Sequence, residues 1–251
     1  MKNGELLEYK MPPPEPSGFV VTLNQMGYMV GQLDIYSKKF CELAAGSSDP
    51  VLEVGAAYGI ATLKALKAGA KKVYANDLDK RHLSILKHQC EVALRTRLVL
   101  LPGAFPEDVK LPDNYFSAIL ISRVLHFFSG EKILETLNRC YQLLRKNGKI
   151  FVICDTVFMR NWHTFIPEYQ KRVLNGAQWP GLIEDSEQYE RARFQDRQKF
   201  VNLFDKKVME NVLTASGFII EEISYINQEH YPEDMRGTGK ESVGAIGVKR
   251  I

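Results

Sequence analysis

The stretch that most constrains this chain is Val51-Leu-Glu-Val-Gly-Ala-Ala-Tyr-Gly59, followed by Val73-Tyr-Ala-Asn-Asp-Leu-Asp79. Val51 to Val54 reads as a buried strand, broken by small residues that open a helix over residues 60–67. Val73 then begins a second short strand that ends in an acid, about twenty residues after the glycines. Strand, small-residue turn, helix, strand and acid together form a physical recipe for holding an adenosine. Gly55 and Gly59 let backbone approach a ligand closely, and the Asp77 carboxylate can accept from both ribose hydroxyls.

Spacing separates the adenosine ligands from one another. A dinucleotide site needs glycines as G-x-G-x-x-G, so that a pyrophosphate sits on the helix N-terminus. Counting from Gly55, the next two required positions are Ala57 and Ile60, and a bulky isoleucine at the third argues against pyrophosphate. The pattern present, E-x-G-x-x-x-G from Glu53 to Gly59, instead resembles motif I of the class I S-adenosylmethionine-dependent methyltransferases. The resemblance implies S-adenosylmethionine as cofactor, framed by Glu53, Gly55, Ala57, Tyr58 and Gly59, with Gly55 under the methionine end. It makes Asp77 the motif II acid and packs Leu78 on the adenine. One departure is Ala57, where the family usually has glycine; we expect its methyl group to cost space but no special backbone angle. Another lies in Pro102-Gly-Ala-Phe-Pro106, where many members carry Gly-Asp. Ala104 stands in the acid's place, so backbone groups of Ala104 and Phe105 are expected to read the base.

The order of the remaining elements extends the resemblance over roughly residues 50 to 155. Arg97 to Leu101, Phe116 to Ser122 and Lys149 to Cys154 are near-continuous apolar runs of buried-strand length. Between the last two, Ile133, Leu134, Leu137, Tyr141 and Leu144 recur at helical spacing. Ser129 should cap that helix, Arg145 and Lys146 suit its C-terminal dipole, and Gly148 should end it. A helix over 205–216 and a hairpin, Gly217 to Ile226 with Glu241 to Lys249, match the family's reversed last strand. The implied fold is α/β with three layers: a doubly wound, seven-stranded, mostly parallel Rossmann-like sheet with one antiparallel strand and an aromatic lid insertion. The expected organisation is an N-terminal extension and covering helix (1–45), a cofactor-binding core (46–155), a lid (156–207) and a C-terminal helix and strand pair (208–251).

Composition restricts the partners. The chain has 251 residues, 45% of them hydrophobic, enough for one substantial core. A net charge of +3 does not call for a nucleic-acid partner. Cys41, Cys90, Cys140 and Cys154 sit in apolar periodic segments without C-x-x-C spacing, which reads as buried free thiols in a reducing cytoplasm. No apolar run reaches the ~20 residues of a membrane helix, and the N-terminus is too polar and acidic for a signal peptide. Met11-Pro-Pro-Pro-Glu-Pro16 favours an extended polyproline segment. Oligomeric state is not legible.

Two regions carry the candidate acceptor chemistry. Leu23 to Leu43 shows an uneven helical pattern with Tyr28 and Tyr36. In class I enzymes a helix before strand one often covers the cofactor, so a tyrosine there could contact the methionine carboxylate; packing on the sheet is the other reading. Residues 156 to 207 hold both tryptophans, Trp162 and Trp179, with His163 and aromatics from Phe158 to Phe204, Phe194 among them. Pro180-Gly181 should break this insertion into two helical pieces. Ligands in this fold bind beyond the C-terminal strand ends, where such an insertion can close over an acceptor. Between residues 160 and 207 nine Lys or Arg face seven Asp or Glu, a solvated face rather than a nucleic-acid track.

Tyr28, Trp162, His163 and Trp179 are the candidate acceptor contacts. By resemblance, Ser122-Arg-Val-Leu-His-Phe-Phe128 runs beside the methionine end, with Ser122 at the cofactor. His126 in that stretch is the best-placed general base, ahead of Asp155 and His163. No Asn-Pro-Pro-Tyr or Asp-Pro-Pro-Tyr follows the fourth strand, which lowers the case for nucleobase or glutamine acceptors. The five histidines, with His82 and His88 on one expected surface helix, show no metal-ligand spacing. The expectation is methyl transfer from S-adenosylmethionine to a small molecule. The rivals are a protein or RNA methyltransferase and a non-catalytic S-adenosylmethionine-binding protein.

Overall fold

The apolar runs at Val51–Val54, Phe116–Ser122 and 150–154 become strands covered on both faces, while Leu98–Pro102 lies half-buried at the sheet edge. The structure, a computed structural model, describes residues 9–29, 31–190 and 199–250. A short ribbon pairs β1 (Val20–Val21) with β2 (Tyr28–Met29). Helix α1 (Ile35–Gly46) leads into β3 (Val51–Val54), α2 (Ile60–Ala68), β4 (Val73–Asp77), α3 (Lys80–Gln89) and β5 (Leu98–Pro102). Then come β6 (Phe116–Ser122), α4 (Gly130–Leu143) and β7 (Leu144–Asp155). The insertion contributes α5 (Ile166–Leu174) and a ribbon of β8 (Leu182–Ile183) with β9 (Val201–Asn202). Helix α6 (Lys206–Ala215) precedes β10 (Ile219–Ile226) and β11 (Ser242–Val248).

Seven strands form one sheet in the order β10-β11-β7-β6-β3-β4-β5. Strands β3 to β7 pair in parallel, while β11 runs against both β7 and β10 and is the single reversed strand. Phe40, Ala65 and Leu66 cover one face together with Phe151. On the other, Leu137 of α4 and Leu213 of α6 pack on Leu52, Ile119 and Val152. Helices on both faces of a mostly parallel sheet give the expected three layers.

Four local expectations need correction. Helix α4 ends at Leu143, so Arg145 and Lys146 lie in β7 and not in a last helical turn. The fully buried Leu144 pairs with Phe116, which requires extended backbone already at that point. Residues 23–29 and 31–34 are not helical. Asp34 caps α1 by accepting from the Tyr36 and Ser37 amides at 3.0 and 2.9 Å, while Gln25, at φ 58°, turns the chain into the ribbon. After Pro180-Gly181 the described chain first forms β8, because Gly181 packs directly on the Leu203 carbonyl, and its helical content up to residue 190 is one 3-10 turn, Ser186–Gln188. Phe194 lies outside the described residues. Finally, His82 is not on a surface face of α3 but buried at 1% exposure.

Candidate functional site

The turn after β3 forms the floor of the site. Gly55 and Gly59 have φ of 71° and 81°, and a Cβ on either would stand 2.3 Å from Val124 or 2.1 Å from Leu86. Only glycine satisfies both the angle and the contact. Ala57 overturns our expectation that it needs no special angle: its φ is 45°, in the left-handed region that costs a β-carbon residue about 1–3 kcal/mol. The strained peptide is held by one strong bond, since the Ala57 amide donates to Asp77 Oδ2 at 2.8 Å.

Glu53 explains why this turn suits no pyrophosphate. Its carboxylate Oε2 accepts from the Thr62 amide at 2.9 Å and the Thr62 hydroxyl at 2.5 Å, inside the first turn of α2. A protein acid therefore fills the electropositive helix end that a dinucleotide would need. Burial is the main influence on this carboxyl and raises it to about 7, against the opposing pull of the Thr62 bonds.

Asp77 is the hub of hydrogen bonds beside this turn. Oδ2 holds the Ala57 amide, and Oδ1 accepts from the Asp79 amide at 2.8 Å and lies 2.9 Å from His82 Nδ1. Each carboxylate oxygen has two lone pairs, so Oδ2 retains capacity for a ribose hydroxyl. Leu78 is 57% exposed and offers an apolar shelf beside it. Buried Asn76, which the sequence reading passed over, donates to the Leu101 and Gly103 carbonyls, both at 2.9 Å, and so fixes the loop that faces that shelf. The Ala104 amide, expected to read the base, instead donates to Asp108 Oδ2 at 2.9 Å.

One cavity of about 340 Å³ runs from this cradle beneath the N-terminal ribbon to the insertion. Glu53, Gly55, Ala57, Asp77, Leu78, Ala104, Phe105, Ser122, His126, Tyr28 and Trp162 all line it. The other candidates lie elsewhere. Tyr58 turns its hydroxyl to the Val21 carbonyl at 3.1 Å, and Gly59 serves as the α2 cap under Leu86. His163 is exposed, its Nδ1 3.0 Å from the Arg160 carbonyl. Trp179 lies flat on Gly130, outside the cavity. Trp162 lines the cavity but is 1% exposed, and it belongs with Phe165, Val157 and Met159 to a cluster that also takes in Phe19, Tyr231 and Met235.

The structure adds a charged cluster that sequence alone did not assemble. Arg123, at φ 57°, follows β6 and donates from Nε to the Tyr231 hydroxyl at 2.8 Å and from Nη1 to Asp34 Oδ2 at 3.2 Å. Tyr231 in turn donates to Asp155 Oδ1 at 2.8 Å, which also accepts from Ser242 at 2.9 Å. Burial opposes the Arg123 charge, yet Tyr231 and the carboxylates of Asp34 and Asp155 raise its pKa above the ordinary value. Tyr231 and Met235 reach the cavity from the loop between β10 and β11, a polar stretch without periodicity.

His126 sits in a short 3-10 turn after β6, at 6% exposure. Burial lowers its pKa below 6.5, opposed by the Asp155 charge and assisted by Arg123. Its Nδ1 has no hydrogen-bond partner among the described residues. A neutral imidazole beside a carboxylate can receive a proton. No group of three or more potential metal ligands occurs among the described residues, and no described helix is long and apolar enough to cross a membrane.

Residues 51–148 match the family model described as a methyltransferase domain. Over 103 residues the chain is 29% identical to the histone-arginine methyltransferase CARMER of Drosophila persimilis, a match covering 40% of this chain and 19% of that protein. The chain thus spans about a fifth of the length of that curated relative. In fold it is similar to the S-adenosylmethionine-dependent methyltransferase of Methanosarcina mazei, with TM-score 0.62, 15% identity, and 87% and 100% of the two chains covered. It is likewise similar to that of Mesorhizobium loti, with TM-score 0.59, 15% identity, and 85% and 97% covered. Residues 51–148 thus resemble a methyltransferase domain, and the chain shares the fold of the S-adenosylmethionine-dependent methyltransferases.

Proposed function

We propose that the protein transfers a methyl group from S-adenosylmethionine to a small-molecule acceptor. The observation that supports this best is the single cavity joining the Ala57–Asp77 cradle to the apolar walls at Met159, Trp162, Val201 and Leu203. Its volume of about 340 Å³ suits one cofactor end and a compact acceptor better than a folded macromolecule.

The residues present fit the cofactor. Asp77 accepts from the ribose, Leu78 and Phe105 flank the adenine, and the side-chain-poor floor at Gly55 receives the methionine end. Ser122 and Arg123 line the cavity alongside. The bound cofactor supplies a sulfonium that already carries the activated methyl. The protein's part is alignment and exclusion of water. Tyr28, Trp162 and Leu203 close the cavity from three separate segments. Neutral His126 takes the proton released by an oxygen or nitrogen acceptor, and Asp155 stabilises the resulting imidazolium.

The likeness to a histone-arginine methyltransferase favours one second reading, a protein acceptor. The test offers S-adenosylmethionine with panels of phenols, amines and carboxylic acids, and separately with histones, and measures S-adenosylhomocysteine release. We expect small-molecule turnover, lowered about 100-fold in His126→Gln with cofactor affinity kept, the usual scale for a general base. Turnover confined to histones would replace this reading with the second one.

A further inference from the structure

The segment Asp77-Leu-Asp-Lys-Arg-His82 does more than present an acid to the cavity. Leu23 lies in the turn between β1 and β2, and both of its backbone polar groups end on this segment. Its amide donates to His82 Nε2 at 3.1 Å, and its carbonyl accepts from Arg81 Nη2 at 3.2 Å. A ring nitrogen that accepts carries no proton, so the proton of the neutral ring is on Nδ1 and is donated to Asp77 Oδ1 at 2.9 Å. Asp79 fixes the other arm: its Oδ1 accepts from Arg81 Nε at 2.9 Å, and its Oδ2 accepts from Arg81 Nη2 at 2.5 Å.

Around this clamp the ribbon is held by packing of the buried Phe19 on Tyr28 and Tyr231, with ring centroids 5.6 and 5.4 Å apart, and by the Tyr58 amide donating to Met29 Sδ at 3.4 Å. Strands of two residues form a pairing too short to stand alone. Tyr58 adds one bond to the Val21 carbonyl, and its ring meets His82 edge-on at 5.1 Å. Yet the ribbon forms a wall of the cavity through Thr22, Asn24, Met26, Gly27, Tyr28 and Met29.

We propose that His82 is a positioning residue which, with Arg81, latches the β1–β2 ribbon over the cofactor and ties that latch to the ribose acid. The proposal rests on the S-adenosylmethionine reading above. A carboxylate oriented by His82 holds the remaining lone pair of Oδ2 toward the ribose, and a bound ribose in turn holds the carboxylate for His82. Ligand binding and ribbon closure then reinforce each other by the same factor.

The experiment combines titration of S-adenosylhomocysteine by calorimetry with hydrogen exchange over residues 18–29, on the wild type and on H82L, H82Q and R81A. In the wild type we expect the ligand to slow exchange in this segment. H82L, which lacks both bonds, should weaken affinity about tenfold or more and abolish that protection. H82Q keeps a donor and an acceptor and should recover most of both. R81A, whose side chain is partly solvent-exposed, should show a smaller loss of the same two quantities, and it carries the test if H82L does not fold. Wild-type binding without protection of residues 18–29 would overturn the latch alone, as would H82L or R81A behaving as wild type in both measurements. No binding in the wild type would overturn the cofactor reading, and the latch with it.

Discussion

Asp77→Asn is the most searching perturbation of the site. The two side chains have the same shape, but one carboxylate oxygen becomes an amide nitrogen. At the Oδ2 position that nitrogen would face the Ala57 amide, now 2.8 Å away. At Oδ1 it would face the Asp79 amide and the His82 ring, at 2.8 and 2.9 Å. Either way donor meets donor in a buried setting, a loss of about 1–3 kcal/mol in folding. In a domain of this size each kcal/mol moves Tm by about 2–4 °C. For the ligand, each ribose bond that loses its charged acceptor costs about 1.5–3 kcal/mol, or roughly 10- to 100-fold in Kd. Calorimetry with S-adenosylhomocysteine, paired with thermal melting, separates the two effects. An Asp77→Asn protein that melts several degrees lower yet binds within about threefold of wild type would refute the assignment of the ribose to Asp77.

Trp162→Ala should cost about 3–5 kcal/mol of stability, because the indole is fully buried in its hydrophobic cluster. It should also abolish acceptor turnover, whereas Trp179→Ala, on Gly130 and outside the cavity, should leave the acceptor KM unchanged in steady-state assays. Glu241 is a second test of the cavity wall, since it accepts from the amides of Gln228, Gly237 and Gly239 at 3.1, 2.8 and 3.0 Å and so folds the loop that carries Tyr231. Burial pushes this carboxyl up, but the amides prevail and hold it below 4.5. Its contribution is therefore present above 4.5 and lost as pH falls through the lower folded value, and melting of Glu241→Gln should lack that acid loss. Glu53 has the opposite sign: with a folded value of about 7 against 4.5, it lowers stability as pH rises between the two. Glu53→Gln should flatten the melting profile across that interval.

The sheet was legible because its central strands are buried on both faces and read as unbroken apolar runs; Val51 to Val54 and Phe116 to Ser122 have the bounds expected of them. Helix α4 was located from its spacing and its Ser129 cap, but its end was not, because Arg145 and Lys146 look like helix-dipole partners while tertiary pairing of Leu144 makes the backbone extended. Ala57 was misjudged for a related reason: its angle is imposed by the bond to Asp77, which local sequence does not show. The adenosine end was readable as a motif. The cluster around Arg123 was not, since Asp34, Arg123, Asp155 and Tyr231 lie far apart in the chain and meet only through the fold.

The reversed strand carries a consequence for assembly. β11 follows β10 in the chain but lies between β10 and β7. β10 therefore has no neighbour in the sheet until residues 242–248 arrive, and β7 keeps an open edge until then. The same insertion brings Ser242 to Asp155 and completes the cluster around Arg123. A nascent or truncated chain that stops short of Ser242 would hold the adenosine motif intact yet present a long apolar edge to other chains. Completion of the cluster around Arg123 and protection from aggregation thus become one late event, set by the order in which strands enter the sheet.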